Sequence, residues 1–219
     1  MDDYLSEKEQ IDKIRKWWKE NGTFVIAGLV LGIGGIAGWN YWHAYKLQQA
    51  EEAGAVYAAI ATNVDSRNFT QADAELDTLE SDYGASPYLD QARLLIARVR
   101  VEQGDLAGAA VLLKKIVDDS SDPELALIAR VRLARVLIAD GVADEALQVL
   151  SLKDAGIFTP KFHELRGDIF AGRGEVEAAR EEYLLAMTDS TGGVIDTQVI
   201  QFKLDALGAP VMGDSQEDS

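Results

Sequence analysis

The 219-residue chain has no cysteine, two histidines, four prolines, and 21 Lys plus Arg against 37 Asp plus Glu. Without a thiol there is no disulfide, no thiolate metal site and no Cys nucleophile. His43 and His163 stand alone, and His163-Glu164 is followed by Gly167, so no H-E-x-x-H zinc site exists. No P-loop and no G-x-S-x-G elbow occurs either. A formal charge of −16 excludes a general nucleic-acid binder, which needs a basic face to neutralise phosphates. Paired carboxylates are too abundant to mark a catalytic centre, and neither a catalytic residue, a metal nor a cofactor is expected. Few prolines beside abundant Ala, Leu and Glu favour helix.

Charge is also missing locally. From Asn21 to Tyr45 there is no Asp, Glu, Lys or Arg, and Phe24 to Trp42 reads FVIAGLVLGIGGIAGWNYW. As a helix rising about 1.5 Å per residue this run spans roughly 28 Å, close to the hydrocarbon thickness of a bilayer. Trp17 and Trp18 precede it, and Trp39, Tyr41, Trp42 and Tyr45 close it, as interfacial rings do. The aromatic exit has no small-x-small cleavage site, which favours an uncleaved signal-anchor over a signal peptide. Lys8, Lys13, Arg15, Lys16 and Lys19 precede the span, and Lys46 alone lies in the twenty residues after it. That asymmetry predicts a cytoplasmic N-terminus and an exported remainder. Gly32, Gly34 and Ala37 fit a relaxed dinucleotide-binding pattern, but that motif works only between a strand and a helix, and nothing downstream alternates them. Gly28, Gly32, Gly34 and Gly38 form two small-xxx-small pairs, either a face for another transmembrane helix or plain membrane composition. Within the span the contacting partner is membrane lipid.

The segments are therefore expected as 1–22 cytoplasmic, 23–45 transmembrane, 46–207 a periplasmic repeat domain and 208–219 an acidic disordered tail. After position 42 come 16 basic and 31 acidic residues, a surplus that keeps an exported domain soluble.

The exported part repeats. Gly104, Gly141 and Gly174 are followed five residues later by Ala109, Ala146 and Ala179, and preceded seven residues earlier by Ala97, Ala134 and Gly167. Four residues past each of those alanines stands Leu113, Leu150 or Tyr183. Small residues where helices cross, glycine ending the first helix, and a bulky side chain filling the groove describe a helical hairpin. Hairpins that cannot bury their apolar faces alone stack into a solenoid. The unit resembles the tetratricopeptide repeat, except that its early aromatic is replaced by Arg93, Arg130 and His163.

A degenerate hairpin is expected before these, around Gln49–Asn63 and Gln71–Tyr83, with Asn68, Phe69, Ala72 and Leu76 keeping part of the turn signature. Its first helix is expected to run on from the span. Asp119 to Pro123 reads as a loop and helix start, and Pro123–Asp140 as the centre of the stack. Phe202, Leu204 and Leu207, after the Gly192-Gly193 break, are expected to form a capping helix. The fold class is all-α: one transmembrane helix, then an α-solenoid of about four hairpins.

In the repeat register the groove positions are Gln91, Leu94, Arg98, Val101 and Glu102, then Ile128, Val131, Arg135 and Ile138, then Lys161, Glu164 and Asp168. Arg98 and Arg135 stand 37 residues apart at equivalent places, as either a clamp for a ligand carboxylate or carbonyl row, or partners of nearby acids.

Over nearly its whole length the chain resembles the YfgM-type ancillary subunits of the SecYEG translocon. The resemblance rests on Glu20-Asn21-Gly22, Gly38-Trp39-Asn40-Tyr41-Trp42, Leu133-Ala134-Arg135-Val136, Leu165-Arg166-Gly167-Asp168, and Gly174, Ala179 and Arg180. It implies an inner-membrane protein with periplasmic repeats, partnered by the translocon and the anchored foldase PpiD. Such a protein passes exported polypeptides to periplasmic chaperones. A cytoplasmic restraint on a stress regulator is also implied, for which residues 1–22 offer no motif. A self-associating scaffold of an envelope complex is the alternative.

Overall fold

The structure, a computed structural model, describes residues 7–152, 155–188 and 195–208. The expected acidic tail beyond Gly208 and the Gly192-Gly193 break lie outside them. Among the described residues every regular element is helical: α1 Glu7–Asp65, α2 Phe69–Asp82, α3 Pro87–Glu102, α4 Leu106–Asp119, α5 Pro123–Ala139, α6 Ala143–Val149, α7 Thr159–Gly172, α8 Val176–Thr188 and α9 Thr197–Gly208, with a 3-10 turn at Gly156–Phe158. The described residues divide into two compact units, with the division inside α1 between Ala55 and Val56.

In the first unit an 18-residue window of α1 has a mean hydropathy of 1.8 and is only 6% buried. A core helix of that composition would be mostly covered, so α1 is the one described helix long and apolar enough to cross a membrane. Trp39 meets Trp42 and His43 at ring separations of 6.1 and 5.6 Å, and Lys46 Nζ stands 4.0 Å over the Trp42 ring. The cluster closes the apolar run with a cation held over a π-face.

In the second unit the last turns of α1 and then α2 precede three helical hairpins, α3 with α4, α5 with α6, and α7 with α8; α9 packs on α8. Each hairpin turns the same way. Gly104, Gly141 and Gly174 sit at φ +82°, +78° and +74°. The next amide donates back five residues: Asp105 N to Arg100 O at 2.8 Å, Val142 N to Leu137 O at 2.8 Å, and Glu175 N to Phe170 O at 2.9 Å. Orphan carbonyls of the first helix are thereby satisfied, and only glycine takes the left-handed position without steric cost. The preceding turn makes the same bond, Asn68 N to Asn63 O at 2.8 Å, but Arg67 occupies the left-handed position at φ +58°.

Ala97, Ala109, Ala134, Ala146, Gly167 and Ala179 are all buried where helices cross. Leu113, Leu150 and Tyr183 lie at or below 2% exposure, and the Tyr183 ring lies directly against Gly167. The loop after α4 ends at Asp122, whose carboxylate accepts from Glu124 N and Leu125 N at 3.0 and 3.1 Å, with Pro123 opening α5. Helix α5 contacts α4, α6 and α7, the central place its apolar faces call for.

One expectation is corrected. Phe202 is 73% exposed and is no part of the cap. Helix α9 instead buries Ile200 and Leu204 against Ala179, Tyr183 and Ala186, with Leu207 beside them. Positions 200, 204 and 207 share one helical face, and position 202 is rotated about 200° from both Ile200 and Leu204.

Candidate functional site: a basic-apolar groove on the repeats

Where the repeat pattern lacks its aromatic, the structure has polar ties between helices. Arg93, 7% exposed, donates from Nε to Glu80 of α2 at 3.0 Å and meets Asp90 at 3.4 Å; Lys115 of α4 reaches the same Glu80 at 2.8 Å. Burial raises the Glu80 pKa, but hydrogen bonds from Lys115 and Arg93 outweigh it and hold the carboxyl below its ordinary value. Arg130 donates to the Val149 carbonyl at 3.0 Å, and His163 Nδ1 lies 2.7 Å from Glu182. Polar groups at this position therefore tie one helix of the stack to another.

Between α3 and α5 a pocket of about 270 Å³ is lined by Leu94, Ala97, Arg98 and Val101 of α3, Leu113 of α4, and Arg132, Arg135 and Val136 of α5. Four groove positions read from the register, Leu94, Arg98, Val101 and Arg135, converge there. Gln91 and Glu102 are exposed on α3 outside the lining, Val131 is buried, and Ile128 and Ile138 are half-buried elsewhere on α5. Arg98 Nε meets Glu102 of its own helix at 3.3 Å.

The third set of groove positions is already occupied. Lys161 and Lys203 both pair with Glu164, the latter at 2.9 Å, and Lys203 Nζ meets Asp168 at 2.7 Å. The Tyr183 hydroxyl donates to Asp168 at 2.8 Å. Burial raises the pKa of Glu164, yet hydrogen bonds from Lys161 and Lys203 hold it below the usual carboxylate value. Burial and the Asp168 hydrogen bond push Tyr183 well up. Burial lowers Lys203, and Asp168 and Glu164 overturn that and raise it. At α7 the groove is thus closed by a lysine of α9.

Lys203 and Arg132 escape a reading of the sequence. The signal for Lys203 is its spacing: Arg98, Arg135, Asp168 and Lys203 follow one another at 37, 33 and 35 residues. Arg132, one turn before Arg135, is visible only as a charge on an apolar helix. A second cleft, of about 700 Å³, lies between α4, α5 and α6, where α6 has 7 residues and α4 has 14. In the first unit, a Cβ added at Gly28, Gly32, Gly34 or Gly38 would meet nothing within 4 Å, so that face is open.

Helical pairs of this geometry make the chain a tetratricopeptide-repeat-like protein with a candidate membrane span at its N-terminal side. The family model for the tetratricopeptide repeat-like domain matches residues 15–209. The chain is 30% identical over 203 residues (93% of its length, 98% of the relative's) to an ancillary SecYEG translocon subunit of Aggregatibacter actinomycetemcomitans. It is 28% identical over 203 residues (93% and 98%) to that of Haemophilus influenzae, and 26% over 210 residues (94% and 99%) to that of Escherichia coli K12. The chain belongs to this family, the YfgM-type ancillary SecYEG translocon subunits. No solved structure matches it.

Proposed function

We propose that the protein is a single-pass inner-membrane adaptor at the Sec translocon, with residues before the span in the cytoplasm and its repeats in the periplasm. There the repeats hold partner proteins and help pass exported chains to periplasmic chaperones, beside SecYEG and a PpiD-like anchored foldase. The observation that carries this reading is the joining, in one chain, of an uncovered apolar helix to a solenoid with an open groove between α3 and α5. The names of relatives matching across 93% of the chain supply the translocon. Tethering confines a weak binder near the pore exit, so modest groove affinity suffices. The lysine ties at α7 support a groove read mainly by the central hairpins, because Lys203 already takes Glu164 and Asp168.

Photo-crosslinking residues placed at Gly32 and Arg135 in native membranes test it. The expected adducts are translocon subunits from position 32 and a foldase, chaperone or exporting chain from position 135. Adducts with a second copy alone, at both positions, would replace the adaptor by a self-associating scaffold.

A further inference from the structure

The pocket between α3 and α5 is unlike the rest of the acidic repeat unit. Elsewhere most basic side chains meet a carboxylate of their own chain, as Arg93 does with Glu80, Arg100 with Asp73, and Lys203 with Asp168, while Arg130 meets the Val149 carbonyl. Arg132 and Arg135 are exposed and make no ion pair or hydrogen bond with any described residue. Arg98 has one partner, Glu102, through an exposed pair on its own helix, of a kind that solvent screens and that exchanges readily. Apart from the three arginines the pocket lining is apolar: Leu94, Ala97, Val101, Leu113 and Val136. At about 270 Å³ the cavity falls below the roughly 300–1,000 Å³ of a site that encloses a whole small molecule. It suits one or two side chains of a longer ligand.

We infer, building on the adaptor reading, that this pocket receives an acidic segment of a partner polypeptide, which seats an apolar side chain on the apolar lining and places flanking carboxylates on Arg98, Arg132 and Arg135. Guanidinium groups suit this task because their forked donors match a carboxylate and because they shed water more readily than ammonium groups. The acidic surplus of the surrounding unit selects against long polyanions and anionic bilayers, which would carry negative charge beyond the pocket. A short peptide confines its charge to the three arginines. The same surplus makes two unpaired arginines side by side informative, since carboxylates to satisfy them abound in this chain.

The test uses the full chain in dodecyl maltoside micelles and the fluorescein-labelled, C-terminally amidated peptide Gly-Glu-Leu-Asp-Val-Glu-Gly, followed by anisotropy at low salt. Its counterpart with Gln and Asn for the acids is the control. The expected result is a preference of about tenfold or more for the acidic peptide, lost in Arg132→Gln/Arg135→Gln and retained in part by Arg132→Lys/Arg135→Lys. Both side chains are exposed, so the unfolding midpoint of the variants should stay at the wild-type value. Equal binding of the two peptides, binding of neither, or an undiminished preference in the Gln variant would overturn the inference. So would displacement of the peptide by phosphatidylglycerol added as mixed micelles in the same detergent, which would make the pocket a headgroup site. If position 135 crosslinks to export partners while the acidic peptide shows no preference, the charge inference alone fails; peptide binding without translocon, foldase or export-chain adducts sinks the adaptor reading alone.

Discussion

At the scale of single residues, the repeat is a set of size exchanges. In the repeat register Ala97 and Ala134 are matched with Leu113 and Leu150, whereas Gly167 faces Tyr183. A Cβ on Gly167 would lie 2.5 Å from ring carbons of Tyr183, a ring that is 2% exposed and tethered through its hydroxyl to Asp168. Gly167→Ala gains up to about 1 kcal/mol of helix propensity, but overpacking a held ring costs about 1–3 kcal/mol. Net destabilisation of about 1–2 kcal/mol is expected. Adding Tyr183→Leu recreates the Ala–Leu pairing of the other hairpins, so the double variant should be less destabilised than the sum of the singles. Strict additivity in a double-mutant cycle on urea unfolding would show that the ring moves aside freely. Arg67 offers the opposite case. It holds the left-handed position that glycine fills in the other three turns, with its side chain exposed. Arg67→Gly should therefore stabilise by about 0.5–1 kcal/mol, a rare gain from deleting a side chain. A lower unfolding midpoint would refute the equivalence of this turn to the others.

At the scale of elements, α9 is held by a lysine as well as by its apolar face. Lys203→Met keeps the stem and removes the ammonium, and should loosen α9 at a cost of about 1–3 kcal/mol. The pH dependence distinguishes this from simple loss of packing. Glu164 is lowered from 4.5, so its contribution is present above that pH and is lost as pH falls through the folded value. Lys203 and Tyr183 are raised from 10.5 and 10.0, so theirs is present below about pH 10 and is lost as pH rises further. Stability should form a plateau between these limits and fall at either end, and Lys203→Met should flatten both falls in a thermal-unfolding series. Falls of unchanged size in the variant would show that the ion pairs do not couple to folding. The helical order was legible in the sequence because glycine, alanine and a bulky residue recur in one register and because proline and Asp122 mark the start of α5. Phe202 was not, since a short amphipathic run leaves two faces open to choice and only contact with α8 selects the one with Ile200 and Leu204. The Lys203 ties were hidden for another reason: they join residues 35 and 39 positions apart, a separation that no local pattern records.

At the scale of the whole molecule, charge is distributed by position along the chain. Five basic residues precede the span, whereas 16 basic and 31 acidic residues follow position 42. The membrane potential, negative inside, opposes outward movement of positive charge by about 2.3 kcal/mol per charge for each 100 mV. Lys8, Lys13, Arg15, Lys16 and Lys19 are thus expected to stay inside while the acidic repeats cross. The absence of cysteine makes the question accessible, because any single cysteine introduced is the sole target for a thiol reagent. Gln10→Cys lies on α1 before the span, and Asp118→Cys lies exposed on α4. In intact spheroplasts a membrane-impermeant maleimide should label position 118 and spare position 10, which should react only after lysis. Changing Lys13, Arg15, Lys16 and Lys19 together to Gln should then expose position 10 in a measurable fraction of molecules, since the asymmetry that orients the span has been removed. Labelling of position 10 in the intact wild-type preparation would place the repeats in the cytoplasm and take the groove out of reach of exported chains.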